Sequence, residues 1–337
     1  MPSQNKPIKT IFIEPTYSVY CKDQIFNPLA YQDPGMAEPM MRLRESLSAK
    51  GIEIHTVDYF VQGMHHGENN EYWSFGALNY LPLIQSSELI KAVGLMIFEP
   101  PLVDQKTYDM IPKLINQFQK IYLYNPPKND HRFGKIYFPT PSNKVMDEYW
   151  KNDKRSENLV MISGNHAPFF KDNEVYSTRI DFISYFSKKN KIDLYGRNWR
   201  IHLNRRVLWW KYLFNYQSII SSFKGSVLSK YKALSNYKYS ICFENSIING
   251  YITEKIVDCF YAGTVPIYYG APDINKYVNP KAFINFSDFS SIQELEKYID
   301  SLTDADYENY KKWGKHFIEN ESSKFYNFLQ NAMLLQD

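Results

Sequence analysis

Cysteine is scarce in this chain: Cys21, Cys242 and Cys259 are the only three in 337 residues, and no two stand in a Cys-x-x-Cys spacing. That excludes a disulfide framework and a cysteine-built zinc site, and it suits a reducing compartment. No run of about eighteen apolar residues occurs, so no membrane-spanning helix is expected. Met1 to Ile8 is polar and lacks the apolar core of a signal peptide, which predicts a cytoplasmic location. Charge of one sign is also missing: 39 Lys and Arg against 36 Asp and Glu leave a net +3, which argues against wholesale nucleic-acid binding. The His65-His66 pair sits in a polar loop. Asp304-Ala305-Asp306 follows Thr303, where acidic residues suit a helix start better than a metal ion. No metal is expected. Glycine, at 14 positions, is sparse, and aromatics make up 17%, the composition of a packed globular chain.

What is present is an α/β alternation. Thr10 to Glu14 reads as a strand, Tyr17 to Gly35 as a long loop, Glu38 to Lys50 as a helix stopped by Gly51, and Ile52 to Val57 as a second strand. Further strands are predicted near 93–98 and 121–124. Asn125 to Asp153, with Pro126, Pro127, Pro139 and Pro141, reads as the boundary between two domains, 1–153 and 154–337. A second alternation starts at Leu159 and runs through strands near 192, 239, 265 and 282. There is no internal repeat or low-complexity tract.

Residues 237–270 carry the most chemistry. Tyr239 to Phe243 is a β-branched and aromatic run that delivers Glu244 and Asn245 at its carboxyl end. Small and turn-forming residues follow, Ser246, Asn249 and Gly250, and Thr253 then stands as an N-cap before Glu254, Lys255 and an apolar-periodic run. A second strand, Val265 to Tyr269, ends at Gly270. In an open α/β sheet such a helix start offers free N–H groups and a positive dipole to a phosphate, and Lys255 adds a full charge. Spacing alone leaves open an ordinary βαβ unit whose Glu254 and Lys255 form a solvated first turn.

The order Phe243-Glu244-Asn245, Tyr251-Ile252-Thr253-Glu254-Lys255, Val265-Pro266-Ile267-Tyr268-Tyr269-Gly270 resembles the donor-site signature of the α1,3/1,4-fucosyltransferases, glycosyltransferase family 10. Ile192-Asp193-Leu194-Tyr195-Gly196-Arg197 and Ile162-Ser163-Gly164-Asn165 resemble neighbouring segments of that family. Arg179 stands where the family places an arginine on the donor pyrophosphate, and a planar guanidinium suits a phosphate. More weakly, Phe98-Glu99-Pro100-Pro101 resembles the family's Glu-Ser-Pro segment. The resemblance therefore implies Glu99 as catalytic base, with a proline in place of serine beside it; Glu14, before Pro15, ranks second.

It further implies a GT-B architecture of two Rossmann-like domains facing across a cleft, with the donor in the second, and GDP-fucose as donor substrate without metal or other cofactor. Arg179 and Lys255 would neutralise the pyrophosphate. Asn245, Tyr251 and Thr253 would belong to the donor site, and Glu254 would stabilise the charge developing on the fucose. The expected reaction is inverting transfer of fucose, α1,3 or α1,4, to an N-acetylglucosamine-containing glycan or a lipid-linked oligosaccharide, in surface polysaccharide synthesis. The family's animal members usually carry a membrane anchor, so this chain is expected to be of the bacterial or viral type. Two other readings remain: a transferase of another GDP-deoxysugar, and a catalytically silent nucleotide-sugar or glycan-binding protein. Acceptor contacts are expected from Tyr17–Gly35 and Met64–Trp73.

One stretch stands apart. Leu194 to Phe243 has no acidic residue and nine Lys or Arg, interleaved with Trp199, Trp209, Trp210, Tyr212, Phe214 and Tyr216. It could draw in the anionic donor or lie on an acidic membrane surface through 199–222, with Val207 to Phe214 as a short amphipathic helix; a partly buried surface helix is the ordinary alternative. No nucleic-acid motif accompanies it.

Overall fold

The computed structural model describes residues 9–31, 33–64, 69–166, 172–200 and 209–334. The chain divides into two compact units, Met1–Pro141 with Lys324–Asp337, and Ser142–Ser323. Each contains a six-stranded sheet, and every strand pairing is parallel.

In the first unit the strands are β1 (Lys9–Glu14), β2 (Ile52–Thr56), β3 (Asn70–Ser74), β4 (Ile90–Met96), β5 (Lys120–Leu123) and β6 (Phe133–Lys135), in the order β2-β1-β3-β4-β5-β6. Phe12, Tyr72, Leu95 and Ile121 supply a buried core from its central strands, joined by Val57, Leu114 and Phe118. Burial of such side chains removes apolar area from water at about 25 cal/mol per Å², the main favourable contribution to the fold.

In the second unit the strands are β7 (Leu159–Ile162), β8 (Ile192–Tyr195), β9 (Phe223–Gly225), β10 (Tyr239–Phe243), β11 (Val265–Tyr269) and β12 (Ile284–Asn285). Their order is β12-β11-β10-β7-β8-β9, which is the doubly wound dinucleotide-binding arrangement. The chain leaves β7 in one direction and β10 in the other, so the topological switch point falls between those two strands, where ligands of open α/β sheets bind. β10 is buried along its whole length, which is why it reads as a continuous apolar run instead of an alternating one.

Three expectations need correction. The boundary between units lies at Pro141/Ser142, not 153/154, and the segment from Lys324 onward belongs to the first unit. Arg42 fixes that return: its guanidinium donates to the carbonyls of Thr140, Pro141 and Tyr326 and lies over the Tyr326 ring at 3.7 Å. Of the stretch 64–73, read as an acceptor loop, Asn70 to Trp73 falls in β3, a central strand, and 65–68 lie outside the described residues. Part of the presumed linker forms β6. Both strands are short, and β6 is half-buried Phe-Gly-Lys, with no alternation to reveal it. Val207, Leu208, Arg205, Arg206, His65, His66 and Met1–Ile8 lie outside the described residues.

Candidate active site

A cavity of about 270 Å³ opens in the second unit at the carboxyl ends of β7 and β10, at the switch point. Arg179, Asn245, Glu254 and Lys255 all line it, so four of the six donor-site residues expected from sequence converge there. Thr253 and Tyr251 do not. Thr253 is the N-cap of helix Glu254–Ala262, as its position in the sequence predicts. Tyr251 is 1% exposed and forms part of the packing beneath the loop.

Glu244 organises this corner. Fully buried, its carboxylate accepts from the Thr253 backbone N–H at 2.8 Å, the Thr253 hydroxyl at 2.8 Å and the Lys255 ammonium at 3.0 Å. One acid at the end of β10 therefore fixes both the helix cap and the first-turn lysine. From the facing helix Tyr176–Ser187, the Arg179 Nη2 reaches the carbonyls of Phe243 at 2.7 Å and Glu244 at 2.6 Å and the Asn245 Oδ1 at 3.0 Å. The opposite wall needs Gly196: at φ +140° it brings the end of β8 so close to Ser163 that a Cβ there would stand 1.9 Å from the Ser163 carbonyl oxygen, a backbone conformation that favours glycine.

The charges are mutually arranged. Burial works against the Lys255 ammonium, but Glu244 and Glu254 outweigh it and hold its pKa above the ordinary lysine value. Burial likewise pushes Glu254 up, and Lys255 and Lys230 overcome it, leaving the carboxyl below its usual range. Burial lowers the Arg179 pKa against the pull of Tyr176 and Glu244, yet a guanidinium stays cationic in any such setting. Deeper in the same cavity Lys230 meets Asp258 at 2.6 Å. Burial raises the Asp258 carboxyl to about 6; Lys230 opposes the rise and nearby Glu254 adds to it. Such a set offers positive charge at a helix start to an anion, balanced by carboxylates beneath it.

Lys230, Asp258, Cys242 and Cys259 line the cavity without having been singled out as site residues. The spacing of Glu254 and Asp258, four apart on one helix, could have revealed Asp258. Lys230 comes from a different short helix, Lys230–Leu234, and had no local signal. Burial and the neighbouring Cys259 thiol push the Cys242 pKa well up, so it packs as a core residue, as its strand position suggests.

In the first unit, Glu99 is half-buried three residues past the end of β4. The prolines that follow it are accommodated: Pro100 is the N-cap of helix Pro101–Leu114 and Pro101 its first residue, where no N–H donor is needed. Tyr108 donates to the Glu99 carbonyl at 3.2 Å. Glu14 is a different kind of group. It is 1% exposed and accepts from the Asn79 backbone at 2.7 Å, the Asn79 side chain at 3.0 Å, the Tyr80 backbone at 3.2 Å and the Tyr72 hydroxyl. Its oxygens are committed to holding the loop after β3.

Several lysines of the acid-free stretch 194–243 are paired by acids from outside it. Lys211 pairs with Asp181 at 2.5 Å, Lys224 with Asp193 at 3.3 Å and Lys238 with Glu157 at 2.7 Å and Asp304 at 2.8 Å. Asp306 in turn forms a capping box with Thr303, the helix-start role expected of that segment. Helix Trp209–Ser221 is amphipathic in fact: Tyr212 and Ile219 are fully buried, while Trp210 and Phe214 are 59% and 83% exposed.

Comparison with known proteins extends this picture. Over 94% of this chain and 84% of the other, the fold superimposes on a crystal structure of α1,3-fucosyltransferase with GDP, with a TM-score of 0.55 and 18% identity. The architecture is thus α/β of the GT-B class. Residues 167–333 match the glycosyltransferase family 10 (fucosyltransferase) C-terminal domain. Among curated relatives, the α-(1,3)-fucosyltransferase FucT of Helicobacter pylori is 42% identical over 85 residues, 25% of this chain and 18% of that protein. The α-(1,4)-fucosyltransferase of Arabidopsis thaliana is 39% identical over 83 residues, 24% and 21% of the respective lengths. The matched segment thus covers about a fifth of either relative's length.

Proposed function

We propose that the protein transfers L-fucose from GDP-fucose to a hydroxyl of a glycan, in α1,3 or α1,4 linkage and with inversion, using no metal. The observation that carries this reading is the convergence of Arg179, Asn245, Glu254 and Lys255 on one cavity at the switch point of the second sheet, within the part of the chain that matches the fucosyltransferase family. Fucosyltransferase names among the relatives support the sugar. An N-acetylglucosamine-containing glycan of a surface polysaccharide is the acceptor we favour, since one relative's name specifies a 4-galactosyl-N-acetylglucosaminide.

In this scheme Glu99 takes the proton of the acceptor hydroxyl as its oxygen attacks the fucose anomeric carbon. The bond from that carbon to the β-phosphate oxygen breaks, and GDP leaves. Lys255, Arg179 and the helix start at Glu254 carry the charge of the departing diphosphate, usually the larger contribution to rate. Glu254 lies beside Lys255 as a carboxylate able to stabilise positive charge on the sugar. The test is turnover of labelled GDP-fucose with N-acetyllactosamine by wild type and Glu99→Gln. A base contributes about 100-fold to 10,000-fold, so the variant should lose that much turnover and keep GDP affinity. No turnover in wild type, with GDP still bound, would instead favour a silent nucleotide-sugar binder; faster turnover of another GDP-deoxysugar would change the donor.

We place the protein in the cytoplasm, touching a membrane surface. The free thiols Cys21, Cys242 and Cys259 support a reducing compartment. Trp210, Leu213 and Phe214, spaced i, i+3 and i+4, form one exposed apolar face, with the Trp210 and Phe214 rings stacked 6.5 Å apart, the kind of face that inserts at the headgroup level. No helix among the described residues is long and apolar enough to cross a membrane. Sedimentation with anionic vesicles should carry down wild type but not Trp210→Ser/Phe214→Ser.

A further inference from the structure

A cavity larger than the one at the switch point belongs to the first unit and takes no part in the scheme above. Its volume is about 690 Å³, within the 300–1,000 Å³ typical of ligand sites. It runs from the starts of β1, β3 and β5, at Lys9, Glu71 and Lys120, to the end of β6 at Lys135 and Tyr137 just beyond it. Lys9, Lys120, Lys135 and Lys324 line it, against one carboxylate, Glu71, which is already engaged by Lys9 at 2.5 Å. Among the described residues no carboxylate pairs with Lys120 or Lys324. The floor is aromatic: Tyr137 is half-buried, and Tyr122 and Phe328, nearly closed to solvent, pack edge-to-face at 5.9 Å. The Tyr122 ring lies across Gly134, where a Cβ would meet it at 2.5 Å, so the glycine is what makes room for that ring. Gln119 and Asn331 add amides at the wall.

We propose that this cavity binds an acidic oligosaccharide. Its lining carries three more positive than negative side chains, so the ligand is anionic. The charges are dispersed: Lys9 comes from β1, Lys120 from β5, Lys135 from β6 and Lys324 from the returning carboxyl-terminal segment, with β1 and β5 three strand spacings apart, about 14 Å between backbones. Two short helices reach the wall at their first turns, through Lys324 and Phe328, but no glycine-rich turn of the kind that cradles a phosphate contributes. Aromatic faces take the apolar faces of pyranose rings, and side-chain amides both donate to and accept from hydroxyls. A chain of acidic sugars, with charges spaced along it, meets all three conditions. This assignment does not depend on the donor or on the reaction proposed above.

Isothermal titration of the full chain with a glucuronic-acid-containing tetrasaccharide, a neutral N-acetyllactosamine tetrasaccharide and inorganic pyrophosphate tests it. Saturable binding of the acidic sugar is expected, weakening as salt rises, with at least tenfold loss in Lys120→Glu/Lys324→Glu and a smaller loss in Lys324→Glu alone. Both positions are solvent-accessible, and thermal melting verifies that the variants fold. Equal affinity for the neutral sugar, binding of pyrophosphate alone, unchanged affinity in the variants, or no saturable binding of the acidic sugar each overturns the proposal.

Discussion

The Lys255 ammonium stands 3.0 Å from a Glu244 carboxylate oxygen that is wholly closed to solvent. A cation meant for a substrate phosphate is thus held from behind by a buried acid that also binds the helix cap. Removing the acid leaves the lysine, the Thr253 N–H and its hydroxyl without their shared acceptor. Glu244→Gln should weaken GDP binding at least tenfold and lower stability by about 1–3 kcal/mol. Titration calorimetry together with urea denaturation checks both effects.

Gly270 sets the position of that acid. A Cβ at 270 would stand 2.5 Å from the Glu244 Cγ and 2.8 Å from the Tyr268 hydroxyl oxygen, and both neighbours are buried. Overpacking of this kind costs about 1–3 kcal/mol. Gly270→Ala should therefore reproduce the loss of donor affinity seen in Glu244→Gln while leaving every donor-site side chain in place. Unchanged GDP affinity in Gly270→Ala would show that the site tolerates movement of Glu244.

Asp258 makes donor binding depend on pH. Burial raises its carboxyl to about 6, so it is charged at pH 7.5 and neutral at pH 5. The charged form opposes a diphosphate in the same cavity; with Lys230 beside it offsetting part of that charge, the repulsion is on the order of 0.5–1 kcal/mol, or roughly two- to fivefold in affinity. Asp258→Asn should bind GDP more tightly than wild type by that factor at pH 7.5, and the two should converge near pH 5. Comparing the proteins at each pH removes the titration of GDP itself.

Acid stability has a separate origin at Glu296. Burial alone would raise this carboxyl; hydrogen bonds from Lys189, Tyr185 and Lys191 reverse that and hold it at about 2. The Tyr185 hydroxyl lies at 2.6 Å and Lys191 at 3.1 Å. With the folded pKa below the unfolded one, its contribution is present above pH 4.5 and is lost as pH falls toward 2. Allowing for solvent around the two half-exposed lysines, the loss is about 1–2 kcal/mol. Urea midpoints of wild type should fall over that range, and those of Glu296→Gln should fall less.

Much of the second unit could be read from residue order. Tyr239 to Phe243 forms β10 as its β-branched and aromatic run implies, Thr253 caps the helix it precedes, and Val265 to Tyr269 forms β11, because each signal is local and is not overruled by tertiary packing. What could not be read depends on partners distant in sequence. Lys230 reaches Asp258 from another element, the acids that neutralise Lys211, Lys224 and Lys238 lie outside the acid-free stretch, and Glu244 shows its anchoring role only once the loop folds back. In the first unit β3 and β6 escaped notice because Asn-Glu-Tyr-Trp-Ser and Phe-Gly-Lys carry little hydrophobic periodicity. The return of the chain at Lys324 depends on Arg42, nearly three hundred residues away, which no local pattern can announce.

The central claim is that the switch-point cavity of the second unit is a guanine-nucleotide sugar site, and calorimetric titration with GDP-fucose, GDP and UDP-galactose, on wild type and Lys255→Ala, tests it most directly. Saturable binding of the two guanine nucleotides but not of UDP-galactose, reduced at least tenfold in Lys255→Ala, is the predicted result. Binding of UDP-galactose in preference, or guanine-nucleotide binding indifferent to Lys255, would contradict it.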